Sequence, residues 1–405
     1  MCYVRSWNEG PALWIEWKAD DVNANMYVTG LNMEQLSRST WRNDKFLVPP
    51  GDTQPKQLLM RYVGFKVGPG LSRQWKFVEE HNLTFLKVSA TAAVRSNSET
   101  WRARFSNLER RVYNVERYCR LESQGYAAVC IPCGAVFARG GTTGHCSVFP
   151  APNLDAIETS EDFFCHPKEA EPPGKEQHND ESGTSRRRRR RGRRCFLSSS
   201  HFFLDLEAHD YSKAMVEGQK VFKCPSCHSE LGLFLSTSLS SLFGVKGVLC
   251  SFFHGSARLC IHDKHGEPHR FDTFTFPSSE FCEEHLCAWM IRKEFEQLST
   301  RHVLLKSLDG QIHMLVWLLE PSAILACGLL DEDGVCPSMA ILKLMFLDND
   351  VDLLAVVPPN APSIRLTNPV VGFIKSALRK NQTNLPEALT RIGKFQVSYL
   401  RLSQI

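Results

Sequence analysis

Two cysteine pairs with a two-residue spacer, Cys130-Ile131-Pro132-Cys133 and Cys224-Pro225-Ser226-Cys227, carry the most specific chemistry in this 405-residue chain. The spacer lets both sulfurs of a pair reach one metal ion, and Gly134 tolerates the turn that points backbone N–H groups at sulfur. Together the pairs supply four thiolates and leave no coordination position open, which is the structural type of zinc site. The pairs lie much farther apart than in a compact zinc ribbon, so the intervening chain has to loop out. Two other readings use the same residues. They can be two unconnected pairs of reduced thiols, or they can be redox pairs. A redox pair needs a helix N-terminus to lower its thiol pKa, whereas Val136-Phe137 after Cys133 reads as strand.

Elements must bring those pairs together, and the pattern before residue 150 is mostly strand-like. Apolar runs at 12–17, 26–33, 46–49, 58–67 and 83–89 are punctuated by Pro49-Pro50-Gly51 and Gly68-Pro69-Gly70. Trp101, Phe105, Leu108, Val112, Val115 and Cys119 recur at helical spacing. Beyond residue 195, strands are predicted over 202–206, 220–223, 271–276, 302–307, 313–319 and 394–402. Helices are predicted over about 280–298, capped by Ser278 or Ser279, and over 363–380, resuming after Asn384-Leu385-Pro386. The fold class is α+β: two β-rich halves with a few helices, joined through the four-cysteine zinc site. The expected division is 1–149 with the first knuckle, a linker over 150–195, and 196–405 with the second knuckle.

The linker is rich in proline and charge and poor in large apolar residues, so it cannot build a core of its own. It holds the arginines at 186–191, 193 and 194. Those eight charges exceed the net charge of +4, so the rest of the chain is net acidic. Basicity confined to one block does not describe a folded nucleic-acid-binding face, and it reads as a solvated insert, an import signal or a nucleic-acid tether. A composition of 43% hydrophobic and 23% charged residues is that of a globular protein. The N-terminus lacks a signal-peptide pattern, and Glu320-Pro321 interrupts the longest apolar run. A soluble protein of a reducing compartment, cytoplasmic or nuclear, with no membrane partner, is expected. The 15 cysteines are odd in number, so a disulfide framework leaves a thiol over.

In order along the chain stand Cys130-Ile131-Pro132-Cys133-Gly134, Phe164-Cys165-His166-Pro167, His201-Phe202-Phe203-Leu204 and Cys224-Pro225-Ser226-Cys227. Val316-Trp317-Leu318-Leu319, Asn384-Leu385-Pro386 and Phe395-Gln396-Val397-Ser398-Tyr399-Leu400 follow. From about Ala127 onward this set resembles the HECT-like ubiquitin ligases that bind ubiquitin-conjugating enzymes. The departures are Phe164 where relatives often carry a second cysteine, and the arginine tract.

The resemblance implies a ubiquitin-protein ligase. It would accept ubiquitin from a conjugating enzyme and pass it to lysines of substrates, cyclin B-type ones among them, or of itself. The thioester route needs an exposed, low-pKa cysteine. Cys327 lies in an apolar run, Cys336 has acidic neighbours, and the Thr-Cys-Phe-type ending of true HECT domains is missing, so no acceptor is assigned and a noncovalent bridging mechanism stays open. The alternative is an interaction protein. Phe164, Cys165 and His166 stand as an apolar, metal-binding cluster in a polar linker. By resemblance this segment would dock into the metallo-endonuclease of mRNA 3′-end processing and block its zinc site. The competing reading has the phenylalanines only tethering the linker to the fold. His254, His262, His265 and His269, near Cys250 and Cys260, match no ligand spacing and read as a surface hairpin.

Overall fold

The computed structural model describes residues 12–18, 23–31, 33–38, 40–42, 45–48, 58–62, 75–78, 83–89, 123–140, 147–151, 194–198, 201–206, 221–235, 240, 243, 248–263, 265, 268–270, 283–298, 300–329, 334–336, 338–348, 356–357 and 361–404. The helix read at 101–119, the strand read at 271–276, nearly all of the arginine tract and the Phe164-Cys165-His166 segment lie outside them. Among the described residues, no helix is long and apolar enough to cross a membrane.

Strands β1 (Ala12–Lys18), β2 (Asn23–Thr29), β3 (Thr40–Arg42), β4 (Lys45–Val48), β5 (Leu58–Tyr62), β6 (Trp75–Val78) and β7 (Leu83–Ser89) come first, with helix α1 (Met33–Arg38) between β2 and β3. Next come β8 (Ser123–Cys130), β9 (Val136–Gly140), β10 (Ser147–Pro150), β11 (Arg194–Leu197), β12 (His201–Leu206), β13 (Val221–Lys223), β14 (Glu230–Phe234), β15 (Val248–Phe253), β16 (Ala257–Asp263) and β17 (Pro268–Arg270). Helix α2 (Glu283–Leu298) leads into β18 (His302–Ser307), β19 (Ile312–Leu329), β20 (Gly334–Cys336), β21 (Ser338–Leu347) and β22 (Ser363–Leu366). Helix α3 (Asn368–Gln382), a 3-10 turn (Glu387–Leu389), β23 (Arg391–Ile392) and β24 (Phe395–Gln404) close the chain.

The chain divides into two compact units, 1–114 with 272–405, and 115–271. These boundaries follow strand pairing rather than chain order, and they differ from the cuts at 149 and 195 suggested by composition. In the first unit β1, near the N-terminus, is hydrogen-bonded to β19, so early and late strands share one ten-stranded sheet of order β23-β24-β21-β19-β1-β2-β7-β6, with β18 paired to β19 and β22 to β18. Strands β20, β5, β4 and β3 form a second sheet.

The axis of the large sheet is β19, whose first half pairs with β18 and whose second half pairs with β1, while β21 follows both. Sequence reading stops that strand at Leu319 because proline removes a ladder donor. The strand instead continues through Glu320-Pro321-Ser322, and the ladder to β21 absorbs the interruption as register shifts on either side of Glu320. The predicted helix at 363–380 is likewise shorter than expected. Ser363-Ile364-Arg365-Leu366 alternates exposed and buried and pairs parallel with β18, and α3 begins only after the extended Thr367, with a proline in its first turn.

Helices α2 and α3 are fastened to β24 by buried polar contacts. The Glu284 carboxylate accepts hydrogen bonds from the Arg401 backbone N–H (2.8 Å) and side chain (2.7 Å), and from Asn381 Nδ2 (2.7 Å). Asn381 also donates to the Tyr399 carbonyl, Ser398 Oγ to the Leu378 carbonyl, and Trp289 Nε1 to the Leu402 carbonyl. Glu284, Trp289, Asn381 and Ser398, all buried, thereby regain the hydrogen-bond partners that burial takes from them.

Candidate metal centre

The second unit contains two sheets, one of order β10-β11-β12-β15-β14-β13 and one of order β17-β16-β8-β9. Phe137 of β9 packs on Phe222 of β13 and Phe252 of β15, with ring centroids 5.5 and 5.1 Å apart. Phe202 stacks on Phe252 at 5.3 Å. This aromatic layer buries the facing sides of the two sheets. Gly232 lies where β14 approaches β15 so closely that a Cβ would stand 1.8 Å from the Ser251 carbonyl oxygen, so glycine is required there.

Each sheet contributes one cysteine pair. Cys130 ends β8, and Cys224 follows β13 directly. The two turns have the same backbone pattern: the Gly134 N–H donates to the Cys130 carbonyl at 2.8 Å, and the His228 N–H donates to the Cys224 carbonyl at 3.0 Å. The Cys130 and Cys224 N–H groups donate in turn to the Ala135 and Ser229 carbonyls, both at 2.8 Å. Gly134 adopts φ +73° and His228 φ +60°, so both knuckles place their fifth residue in the left-handed region. A methyl group on the Gly134 Cα would meet nothing within 4 Å, so Gly134→Ala tests the conformation alone. A stability loss of about 1 kcal/mol is expected, measured by denaturant unfolding.

The four sulfurs all lie within 4.8 Å of one another. Cys130 Sγ is 3.6 Å from Cys227 Sγ, and Cys133 Sγ is 3.7 Å from Cys224 Sγ. Bonds of ~2.3 Å to a central zinc would set tetrahedron edges of ~3.8 Å, whereas a disulfide needs ~2.05 Å. The donor set and its spacing therefore fit a metal ion. Cys130 and Cys224 are buried, Cys133 is exposed and Cys227 is half-buried. Burial pushes the Cys130 thiol up, while the hydroxyl and backbone N–H of Ser229 hold Cys227 down at about 6. Cys227 Sγ lies 3.2 Å from the Ser229 hydroxyl, and the Ser226 N–H donates to Cys224 Sγ at 3.4 Å. Polar contacts of this kind orient thiolates around a metal.

The structure thus brings together all four cysteines singled out from spacing. It corrects one part of that reading: they join two sheets of a single unit and do not couple an N-terminal half to a C-terminal half, because β8 and β13 both belong to residues 115–271. Sequence reasoning overlooked Ser229 and the left-handed His228. The signal for the latter was the Cys-x-x-Cys-His run occupying the place of Cys-x-x-Cys-Gly.

Other candidates fare differently. Cys327 is buried in the core with Trp14 and Tyr399, as its apolar surroundings predicted. Cys195, Cys250 and Cys287 are buried too, and burial raises the Cys250 thiol. The surface-hairpin reading of the histidine cluster is corrected at His254. It sits buried in the β15–β16 turn, with Nε2 3.1 Å from the Ser198 carbonyl oxygen and its ring beside Phe202. Burial depresses its pKa to about 3, so it stays neutral and structural.

Fold and site together define a β-rich protein with two sheets pinned at a closed four-cysteine centre capable of holding a metal ion. A family model described as HECT-like ubiquitin-conjugating enzyme (E2)-binding matches residues 77–397. The chain belongs to that family, in agreement with the resemblance carried by its ordered motifs. Comparison with curated proteins and with solved structures returns no match.

Proposed function

We propose that the chain is a ubiquitin-protein ligase: it engages a ubiquitin-charged conjugating enzyme and directs ubiquitin to lysines of target proteins and of itself. The observation that carries this reading is membership of a family described by its binding of ubiquitin-conjugating enzymes, over residues 77–397. Zinc is the proposed metal. Held by Cys130, Cys133, Cys224 and Cys227, it would act structurally, since four thiolates leave it no open position for a substrate.

The transfer route we favour is bridging, in which ubiquitin passes from the conjugating enzyme to the lysine without a stop on this chain. A thioester acceptor must be exposed with a lowered pKa. Among the described cysteines outside the metal centre, Cys195, Cys250, Cys287 and Cys327 are buried and Cys260 is half-buried. The non-enzymatic alternative, docking of Phe164, Cys165 and His166 into the zinc site of the mRNA 3′-end-processing endonuclease, predicts association with that enzyme that is lost on Cys165→Ala. Partition between cytoplasm and nucleus remains part of the proposal, with the arginine tract as its import signal.

The deciding experiment measures zinc per chain and self-ubiquitination with a panel of conjugating enzymes. One zinc with activity in the wild type, and loss of both in Cys130→Ser/Cys133→Ser, is the expected result. One zinc with no ubiquitin transfer from any enzyme would overturn the ligase reading and leave the docking reading standing.

A further inference from the structure

We propose that the four-cysteine centre is also a peroxide-sensitive switch: oxidation exchanges the metal for two disulfides, one between Cys133 and Cys224 and one between Cys130 and Cys227, which keep the two sheets joined. This inference rests on the zinc reading above and adds a regulation to the same site.

Exposure singles out the first sulfur to react. Among the described cysteines Cys133 alone is exposed, while Cys227 and Cys260 are half-buried and the others are buried. Cys133 stands at the tip of the first knuckle between Pro132 and Gly134, both exposed. Oxidation of cysteine needs thiolate character and access. A metal-ligating sulfur is deprotonated, and at Cys133 it is open to solvent as well.

The neighbours of each sulfur decide which bonds follow. Cys133 Sγ lies 3.7 Å from Cys224 Sγ, and Cys130 Sγ lies 3.6 Å from Cys227 Sγ. Each of these pairs takes one sulfur from the knuckle that ends β8 and one from the knuckle that follows β13. A disulfide asks each pair to close by about 1.6 Å, a displacement shared between two side chains. The knuckle backbones stay held by the bonds from the Cys130 and Cys224 N–H groups to the Ala135 and Ser229 carbonyls.

The Cys133 thiolate attacks one oxygen of hydrogen peroxide. An S–O bond forms, the O–O bond breaks, and the departing hydroxide takes up a proton as water, leaving a sulfenic acid. The Cys224 thiolate then attacks the Cys133 sulfur, so that an S–S bond forms, the S–O bond breaks and a second hydroxide leaves as water. Two electrons have passed from the two sulfurs to the peroxide. A second peroxide oxidises Cys130 and Cys227 in the same way, no thiolate is left to hold the metal, and a thiol reductant reverses both disulfides. Covalent bonds then span the gap that the metal bridged, so the layer of Phe137, Phe222 and Phe252 stays covered.

The test treats the zinc-loaded full chain with hydrogen peroxide. It follows zinc release with a chromogenic chelator, disulfides by peptide mapping, and limited proteolysis of residues 115–271 beside a chelator-stripped control. The expected result is zinc release with cross-linked peptides joining Cys133 to Cys224 and Cys130 to Cys227, greater resistance to protease than in the stripped control, and recovery of zinc binding after reduction. Cys133→His keeps a metal-binding donor at the exposed position and removes the sulfur attacked first, so its zinc should leave about tenfold or more slowly. Disulfides within each knuckle, unfolding as complete as after chelation, or release from Cys133→His at the wild-type rate would overturn the switch and leave the zinc reading intact. The wild-type peptide map decides the question even where Cys133→His fails to load zinc. A wild-type chain that holds no zinc would instead remove the zinc reading, and the switch with it.

Discussion

Replacing Cys224 with serine is expected to release the metal and melt the second unit. Cys224 is buried and follows β13 directly, so with Cys227 it is the point at which the proposed metal would hold the six-stranded sheet. Structural zinc sites contribute on the order of 10 kcal/mol of apparent binding energy, which is comparable to the whole stability of an ordinary domain. The remaining three thiolates would keep only part of that energy, and the aromatic layer of Phe137, Phe222 and Phe252 would have to hold the sheets alone. The measurements are zinc per chain, near-ultraviolet circular dichroism and limited proteolysis. Stoichiometric loss of zinc with proteolysis confined to residues 115–271 is the expected outcome. A variant that retains zinc and melts with the wild type would refute the site.

The second large effect is expected in the first unit. Glu284→Ala removes the acceptor shared by the Arg401 side chain, the Arg401 backbone N–H and Asn381 Nδ2. Glu284 is 5% exposed and Arg401 33%, so the arginine left behind stays partly hydrated. Breaking a buried pair costs roughly 3–5 kcal/mol, and the partial exposure of Arg401 places this one near the lower figure. At about 2–4 °C per kcal/mol for a unit of this size, thermal unfolding should shift down by roughly 6–12 °C with zinc content unchanged. Glu284→Gln, which keeps an acceptor oxygen but loses the charge, should fall between the two. A shift under about 2 °C for Glu284→Ala would show that the contacts add nothing net to stability.

The two variants probe different parts of the fold, and their contrast is informative. Loss of the metal should spare α2, α3 and β24, while loss of Glu284 should spare the cysteine centre. Coincident effects on both units would mean that the units unfold as one.

Much of the metal centre was legible in the chain itself. A two-residue spacer, Gly134 after one pair and a strand before the other are local features, and local chemistry dictates how each pair turns. The strands at 12–17, 83–89, 202–206 and 302–307, and the helix near 280–298, were legible for the same reason, since periodicity of 2 or 3.6 reflects one buried face. Three things were not. Strand β19 runs on past Pro321 because β21 pairs with it on both sides of the proline, at Glu320 and Ala323, while β18 and β1 take up its two halves. Residues 363–366 form a strand because β18 offers a free edge, although a helical start at Ser363 is locally acceptable. His228 adopts a left-handed conformation because the turn around Cys224 imposes it on a residue that would not choose it. The sequence by itself determined which four sulfurs can share a metal and which family the ordered motifs mark. Only the tertiary structure decided that those sulfurs join two sheets of one unit and that early and late strands share a single sheet. Such pairings depend on contacts between segments far apart in the chain, whose closing entropy and partner choice leave no local trace.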